Sequence, residues 1–295
     1  SYEQALAINP DYAEAHYNLG NALKNLGQLD AAVKSYEQAL AINPDYADAF
    51  NNLGNALMDF GRLDAAVKCY EKAVALKPDY AEAYHNHGSI MKRLKRKDEA
   101  LVSYESAIAL NPNLDFILGD LLHTKMNLCL WDDLEKRLNE LTKKINNAEK
   151  VIIPFSFLAL IDDPEVQRKN TEIYANEKYP QNDVLSKIGR YPKHKKIRIG
   201  YFSADFRDHP VAYLTAELYE MHDRNQFEIY AFSFGPDTDD EMNLRIKAGV
   251  DHFHDVRTMS HKDVAMLARS LELDIAVDLG GYTLGCRTEI FAMSA

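Results

Sequence analysis

Cysteine is scarce in this chain of 295 residues, with 3 positions that lie far apart and form no Cys-x-x-Cys pair. This pattern argues against a disulfide framework and a thiolate zinc site, and it favours a reducing, cytoplasmic compartment. Long apolar runs are also missing. The most apolar one, at 151–161, is broken by Pro154 and is far shorter than the ~20 residues of a membrane span. We therefore expect no membrane segment.

Positive charge is the second thing in short supply. The chain has 34 Lys and Arg against 45 Asp and Glu, a formal net charge of -11. A nucleic-acid-binding protein needs a basic face to neutralise phosphates, so this balance argues against nucleic-acid partners and favours polypeptide ones. The remaining composition, 46% hydrophobic and 27% charged, is ordinary for a soluble globular protein and allows two domains at this length.

Internal repetition fills the first 114 residues, where Pro, Gly and Tyr each recur every 34 residues. The positions are Pro10, Pro44, Pro78 and Pro112; Gly20, Gly54 and Gly88; and Tyr2, Tyr36, Tyr70 and Tyr104. This spacing is the tetratricopeptide period, in which each repeat is a helix pair. We predict a partial repeat at 1–12 and full repeats at 13–46, 47–80 and 81–114. The start in mid-repeat indicates a stack cut from a longer array.

Two of the repeats show an Asp-x-x-Glu sequence directly after the proline, at Asp11–Glu14 and Asp79–Glu82. Such a sequence is typical of a capping box, in which the two side chains satisfy free N–H groups at a helix start. It predicts that each Asp is the N-cap of the next helix.

A column of asparagines also follows the repeat period. Its members are Asn18, Asn52 and Asn86, with Asn21 and Asn55 close by on the same helices. Asn costs a helix roughly 0.6 kcal/mol relative to Ala, so the column needs a reason. One interpretation is that duplication copied solvated positions. The other is that the side-chain amides pair with the backbone of an extended peptide, whatever its sequence.

The period fails after residue 114, although helical apolar spacing continues, so 115–190 is predicted to be a helical connector. Strands and helices then alternate over 191–295, as a parallel sheet requires. The predicted strands are 197–203, 227–234, 251–256 and 274–279, and the predicted helices are 211–221, 239–248, 261–272 and 287–293. We expect a Rossmann-like fold. It lacks the Gly-x-Gly-x-x-Gly fingerprint, which argues against a nicotinamide or flavin enzyme.

The junction between the first strand and the first helix of this segment carries a His-Pro pair. Pro210 suits the first helical position, so His209 is predicted at or beside the N-cap. The positive end of the helix dipole disfavours a protonated imidazole there. A neutral His in the crevice at the carboxyl ends of the strands can accept a proton from a hydroxyl. The alternative is a His that only caps or packs.

Two further patterns resemble metal-binding sequences. Asp237-Thr238-Asp239 has the Asp-x-Asp form used by some glycosyltransferases, but it lies in an acidic stretch that favours a solvated loop. His252 and His254 share one face of a strand, a spacing compatible with a metal ion. Because the sequence shows no third ligand, we expect no metal site.

Three features together resemble the protein O-linked N-acetylglucosamine transferase family, including its bacterial and SPINDLY-like members. They are SADFRDHPV at 203–211, GGYTLGCRTEIFA at 280–292 and the 34-residue repeats. The resemblance implies a tetratricopeptide superhelix followed by the N-terminal Rossmann-like lobe of a GT-B glycosyltransferase. It also implies inverting, metal-independent transfer of N-acetylglucosamine from UDP-GlcNAc to Ser or Thr of proteins, with no cofactor.

The resemblance also implies roles for individual residues. His209 would be the general base or the group that positions the acceptor, supported by Asp205 and Asp208. Residues bordering the cleft would be Gly280, Gly281, Tyr282, Thr283 and Arg287. The asparagine column would hold the polypeptide acceptor. Because the donor-binding lobe of that family is missing here, we expect this fragment to be inactive by itself. The alternative is a non-catalytic tetratricopeptide scaffold that binds proteins.

Overall fold

The computed structural model describes residues 2–189, 191, 193–283 and 285–293, with Glu3 described through its backbone only. The predicted domain limits at residues 1, 190 and 295, and Leu284 of the predicted glycine loop, lie outside these ranges. The chain divides into two compact units, 1–171 and 172–295. The division falls inside a helix of the predicted connector.

The first unit is helical. Its helices are α1 (Tyr2–Ile8), α2 (Ala13–Asn25), α3 (Leu29–Ile42), α4 (Ala47–Asp59), α5 (Leu63–Leu76), α6 (Ala81–Arg93), α7 (Lys97–Leu110), α8 (Ile117–Asn127), α9 (Leu134–Asn146), α10 (Pro154–Phe157) and α11 (Pro164–Lys178), the last of which runs on into the second unit. Helices α2 to α7 form three successive pairs that share one buried core. This is the tetratricopeptide arrangement that the 34-residue period predicts.

Close packing between the helices of each pair depends on one glycine. A Cβ added at Gly54 would lie 2.6 Å from a ring carbon of Tyr70, and the same contact recurs between Gly20 and Tyr36. The Tyr70 ring is fully buried, and its hydroxyl donates to Asn55 Oδ1 at 2.8 Å. The repeated Gly and Tyr are therefore a steric match that sets the spacing of each helix pair.

The predicted capping boxes are wrong. Helix α2 begins at Ala13 with Tyr12 as its N-cap, and no side chain caps it. The backbone N–H of Asp11 donates to Asn9 Oδ1 at 3.3 Å. This Asn-initiated turn places Asp11 one residue before the cap, where its carboxylate does not receive the free N–H groups of the helix. Helix α6 also has Tyr80 as its N-cap after Asp79 and no side-chain cap, although Lys77 stands there in the place of Asn9.

The second unit contains a four-stranded parallel sheet in the order β3-β2-β1-β4. Its elements are β1 (Ile197–Ser203), α12 (Pro210–Met221), β2 (Phe227–Ser233), α13 (Glu241–Gly249), β3 (His252–Asp255), α14 (His261–Ser270), β4 (Ile275–Asp278) and α15 (Glu289–Ala292). The strands lie within one residue of their predicted limits. The fold class predicted from the sequence, repeat helices followed by a Rossmann-like α/β unit, is confirmed.

Both faces of this sheet are covered by apolar side chains. On one face Ile199, Tyr201 and Ile229 pack against α12 and α13. On the other, the rings of Phe202 and Phe232 stack at 4.3 Å and pack with α14 and α15. Burial on both faces is the physical reason why β1 and β2 read as nearly continuous apolar runs.

Candidate functional site

His209 lies where β1 passes into α12. Strand β1 pairs with β2 on one side and with β4 on the other, so it is a central strand of the sheet. Its carboxyl end lies between the carboxyl ends of those two strands. His209 is the N-cap of α12, with extended backbone angles, and Pro210 occupies the first helical position. The position predicted for His209 is confirmed. Its side chain remains one-third exposed and can contact a ligand.

The hydrogen bonds of His209 define its tautomer. Its Nδ1 accepts the backbone N–H of Val211 at 3.3 Å, so in the neutral ring the proton resides on Nε2. The carboxylate of Asp205 lies 3.7 Å from the same Nδ1 and also faces the guanidinium of Arg207 at 3.5 Å. Asp205 is therefore placed to receive an Nδ1–H proton once the ring changes tautomer or becomes charged.

Asp208 forms hydrogen bonds through both its backbone and its side chain. Its N–H donates to Asp240 Oδ2 at 2.9 Å. Its carboxylate accepts the hydroxyl of Tyr213, a bond that raises the pKa of Tyr213. Asp208 thus belongs to the framework of the loop, and its role in supporting His209 stays a prediction.

The glycine loop after β4 is closed on itself. Asp278 Oδ1 accepts the N–H groups of Gly280 and Gly281 at 2.9 and 3.1 Å. Thr283 Oγ1 donates to the carbonyl of Gly280 at 2.7 Å. The amides of these two glycines are therefore used by a carboxylate of the preceding strand, and their place at the border of a cleft stays a prediction.

Tyr282 packs in an aromatic cluster that the sequence did not reveal. Its ring stacks on Tyr179, with centroids 5.8 Å apart, and meets Tyr174 edge-on at 5.5 Å. Burial raises the pKa of Tyr282. Both partners come from α11 and the residues just after it, about 100 residues earlier in the chain. No periodic signal links such distant positions, so tertiary structure alone brings them together.

Arg287 has a structural position. Its guanidinium donates to the backbone carbonyls of Val256 and Met259 at 3.0 and 2.8 Å. Burial lowers its pKa. These bonds fix the loop between β3 and α14, and the cleft contact that the family resemblance implies stays a prediction.

The residues of the two metal-like patterns contact other side chains of the protein. Lys247 Nζ binds Asp237 at 3.2 Å and Asp239 at 2.9 Å. His252 Nε2 lies 3.1 Å from Glu228, and the His254 ring stacks on Phe232. In the ranges that the structure describes, no three His, Cys, Asp or Glu side chains are grouped as metal ligands.

The asparagine column forms an internal network. Asn52 Nδ2 donates to Asn21 Oδ1 at 2.9 Å and to the Tyr17 hydroxyl at 3.0 Å. Asn86 Nδ2 donates to Asn51 Oδ1 at 2.9 Å. These bonds connect successive repeats and fix the orientation of the side chains.

One further residue belongs to this column and was missed. Asp120 follows Asn86 by 34 residues, the repeat period. Its carboxylate binds His85 Nε2 at 2.9 Å and Lys92 Nζ at 2.5 Å, and these contacts lower its pKa against the opposing effect of burial. The spacing could have revealed it, had the period been extended beyond residue 114.

Taken by itself, the fold defines a repeat protein with an attached parallel α/β unit that carries a histidine at a helix N-terminus beyond its first strand. Comparison with known proteins shows what each part of the chain resembles. Residues 171–295 match glycosyl transferase family 41, and residues 1–114 match tetratricopeptide repeats. The chain is therefore similar to O-GlcNAc transferase-like proteins of that family.

Two curated relatives carry the same kind of name. A probable UDP-N-acetylglucosamine–peptide N-acetylglucosaminyltransferase of Arabidopsis thaliana is 31% identical over 191 residues, which is 59% of this chain and 19% of the relative. The corresponding enzyme of Caenorhabditis elegans is 29% identical over 193 residues, 56% of this chain and 16% of the relative. The chain thus spans less than a fifth of these relatives.

Among solved structures, an O-GlcNAc transferase mutant of Thermobaculum terrenum is similar over 95% of this chain and 48% of its own, at 23% identity and a TM-score of 0.48. Within the described residues of the present chain, every helix is too short or too polar to cross a membrane.

Proposed function

We propose that this chain provides the acceptor side of a protein O-GlcNAc transferase, which transfers N-acetylglucosamine from UDP-GlcNAc to Ser or Thr with inversion and without a metal ion. The observation that carries the proposal is His209 at the N-cap of α12, one-third exposed and with Asp205 beside it. The match of residues 171–295 to family 41 supports the reaction class.

The tautomer of His209 suggests how it acts. With Nδ1 occupied by the Val211 N–H, Nε2 carries the proton and can donate to the oxygen of an acceptor hydroxyl. In this state His209 positions the acceptor. Alignment of a nucleophile on the reacting carbon is itself a large part of catalysis.

Proton removal needs the other tautomer. If Nδ1 carries the proton, Nε2 has a free lone pair and accepts the hydroxyl proton as a general base. Asp205, 3.7 Å from Nδ1, would then receive the Nδ1–H bond and stabilise the imidazolium that forms. Val211 loses its side-chain acceptor in that state. We therefore propose that Asp205 orients the His209 ring and stabilises its positively charged form during transfer.

The repeat column supplies the polypeptide partner in this proposal. Asn18, Asn52 and Asn86 offer amides at the repeat spacing, and Asp120 extends the row by one repeat. Because Asn52 and Asn86 already hydrogen bond to neighbouring side chains, an extended peptide would exchange those bonds for backbone ones. Such an exchange favours modest affinity and broad sequence tolerance.

The test is transfer from radiolabelled UDP-GlcNAc to a Ser-rich protein by the enzyme that carries this segment. His209→Ala should lower kcat by at least about a hundredfold, the usual scale of general acid–base catalysis. His252→Gln is the matched control, since it removes an imidazole at the amino end of β3, away from the junction, and should leave kcat unchanged. Undiminished transfer by His209→Ala would refute the proposed role, and loss of activity with a chelator would refute metal independence.

A further inference from the structure

A neighbouring segment makes several contacts with the loop that carries the catalytic candidates. The loop runs from Ala204 to His209, between β1 and α12. The segment runs from Phe234 to Asn243, from the end of β2 into the first turn of α13. Their contacts extend from the start of the loop to Asp208.

The first contact is between the two backbones. The N–H of Phe234 donates to the carbonyl of Ser203 at 3.1 Å. Directly afterwards Gly235 lies so close to Ala204 that an added Cβ would be 1.7 Å from its carbonyl oxygen. Only glycine fits at this point, because any side chain would displace the loop.

The middle contact is a buried amide. The side chain of Asn243 is buried, with 1% exposure, and its Nδ2 donates to the carbonyl of Phe206 at 2.5 Å. The Phe206 ring is also buried and meets Tyr219 of α12 edge-on at 6.0 Å. The loop is thereby fixed to α13 through its backbone and to α12 through its side chain.

The last contact is a carboxylate with two tasks. Asp240 Oδ1 caps α13 by accepting the N–H of Asn243 at 2.8 Å. Asp240 Oδ2 accepts the N–H of Asp208, the residue before His209, at 2.9 Å. The hydroxyl of Thr238 donates to the same oxygen. These donors lower the pKa of Asp240 and keep it ionised.

From this arrangement we infer that Asp240 and Asn243 are positioning residues for His209. They contact no substrate in the proposed reaction. They hold the backbone of the loop at Phe206 and Asp208, and through it they place the His209 ring so that Nδ1 meets Val211 and faces Asp205. The inference rests on the proposed function for its catalytic meaning, whereas the positioning itself is a property of this chain.

The test uses the 295-residue chain labelled with 15N. Asp240→Asn removes an oxygen acceptor and the charge. Asp239→Asn is the matched control, because it removes the same charge one residue earlier, where the carboxylate binds Lys247 rather than the loop. The readouts are the side-chain 15N shifts of His209, identified by their loss in His209→Gln, and the exchange rate of the Val211 amide hydrogen.

We expect Asp240→Asn to move the His209 Nδ1 shift and to speed exchange at Val211 by about tenfold or more relative to Asp239→Asn, with exchange in the β2 core unchanged. Asn243→Ala should act in the same direction. If that variant does not fold, Asp240→Asn still decides. Equal His209 shifts and equal Val211 exchange in the two Asp variants would overturn the inference.

Activity separates this inference from the proposed function. In the transfer assay, Asp240→Asn should lower kcat while leaving the KM for UDP-GlcNAc unchanged, and Asp239→Asn should change neither. A displaced His209 together with undiminished transfer would refute the catalytic part of the inference. Absence of transfer in the unmodified enzyme would refute the proposed function, while the His209 shifts would still support or overturn the positioning.

Discussion

His87 Nδ1 donates to the hydroxyl oxygen of Ser103 at 2.8 Å, because the Ser103 proton is already given to the carbonyl of Glu99. Burial lowers the pKa of His87 and favours the neutral ring, and among the described residues its Nε2 is buried without a hydrogen-bond partner. Leu19 and Leu53 occupy the same position in the two preceding repeats. A polar ring thus replaces a core leucine in the third repeat.

Replacing this ring tests its effect on stability. Burial lowers the pKa of His87, so the unfolded chain takes up a proton near the ordinary pKa of about 6.5 and the folded chain only at lower pH. The free energy of unfolding contributed by His87 is intact above about pH 6.5 and falls as the pH decreases below it. We expect His87→Leu to stabilise the repeats by about 1 kcal/mol at neutral pH, and by more in acid.

Urea unfolding followed by the fluorescence of the single tryptophan, Trp131, reports on this unit. The difference between His87→Leu and the unmodified chain should grow between about pH 7 and pH 5. A difference that is constant with pH would mean that His87 does not titrate in the way its burial indicates.

For the repeated glycine, the steric contact and helix propensity predict opposite effects on stability. Gly54→Ala should destabilise the repeats by about 1 to 3 kcal/mol, because the new methyl group would lie 2.6 Å from the buried Tyr70 ring. Helix propensity alone predicts a gain of roughly 1 kcal/mol. Gly189→Ala is the control, since an added Cβ there meets nothing within 4 Å. Equal urea midpoints for the two variants would contradict the steric argument.

The asparagine network makes a prediction for peptide binding. Asn52→Ala removes two hydrogen bonds between side chains of neighbouring helix pairs, so it should cost about 1 to 2 kcal/mol of stability. In the proposed function it should also weaken binding of an extended peptide by several fold. Asn25→Ala, at the exposed end of α2, should do neither. Calorimetric titration with a Ser-rich peptide gives the affinity, and unchanged affinity in Asn52→Ala would return the column to a solvated-face interpretation.

Substitutions of Arg287 can distinguish a structural role of this residue from a role in the cleft. Arg287→Ala removes one donor from the carbonyl of Met259 and leaves the carbonyl of Val256 with only the N–H of Met259, so it should destabilise the second unit by about 2 kcal/mol. Arg287→Lys should recover part of this loss, because one ammonium group can reach one carbonyl. Amide exchange in β3 is the measurement. If Arg287→Ala lowers sugar transfer but leaves that exchange unchanged, the cleft role implied by the family resemblance is correct.

Local patterns in the sequence were enough to predict the elements of the fold. A period of 34 residues identifies repeats because equivalent side chains of each repeat pack against the neighbouring repeats in one core. Alternating strand and helix patterns identify a parallel sheet because strands such as β1 are apolar on both faces. His209 could be placed at the N-cap because Pro210 restricts the backbone at the first helical position. All of these signals act over a few residues or recur at a fixed interval.

Other features depended on tertiary structure. The Asp-x-x-Glu pattern predicts a capping box, but in both helices a tyrosine one residue after the Asp is the N-cap. The sequence alone could not show that the amides of Gly280 and Gly281 bind Asp278, or that Arg287 binds two backbone carbonyls. It also could not show that Asp240 and Asn243 hold the His209 loop. Such contacts join residues far apart in the chain, and their partners are chosen by packing and by the need of each buried polar group for a hydrogen bond.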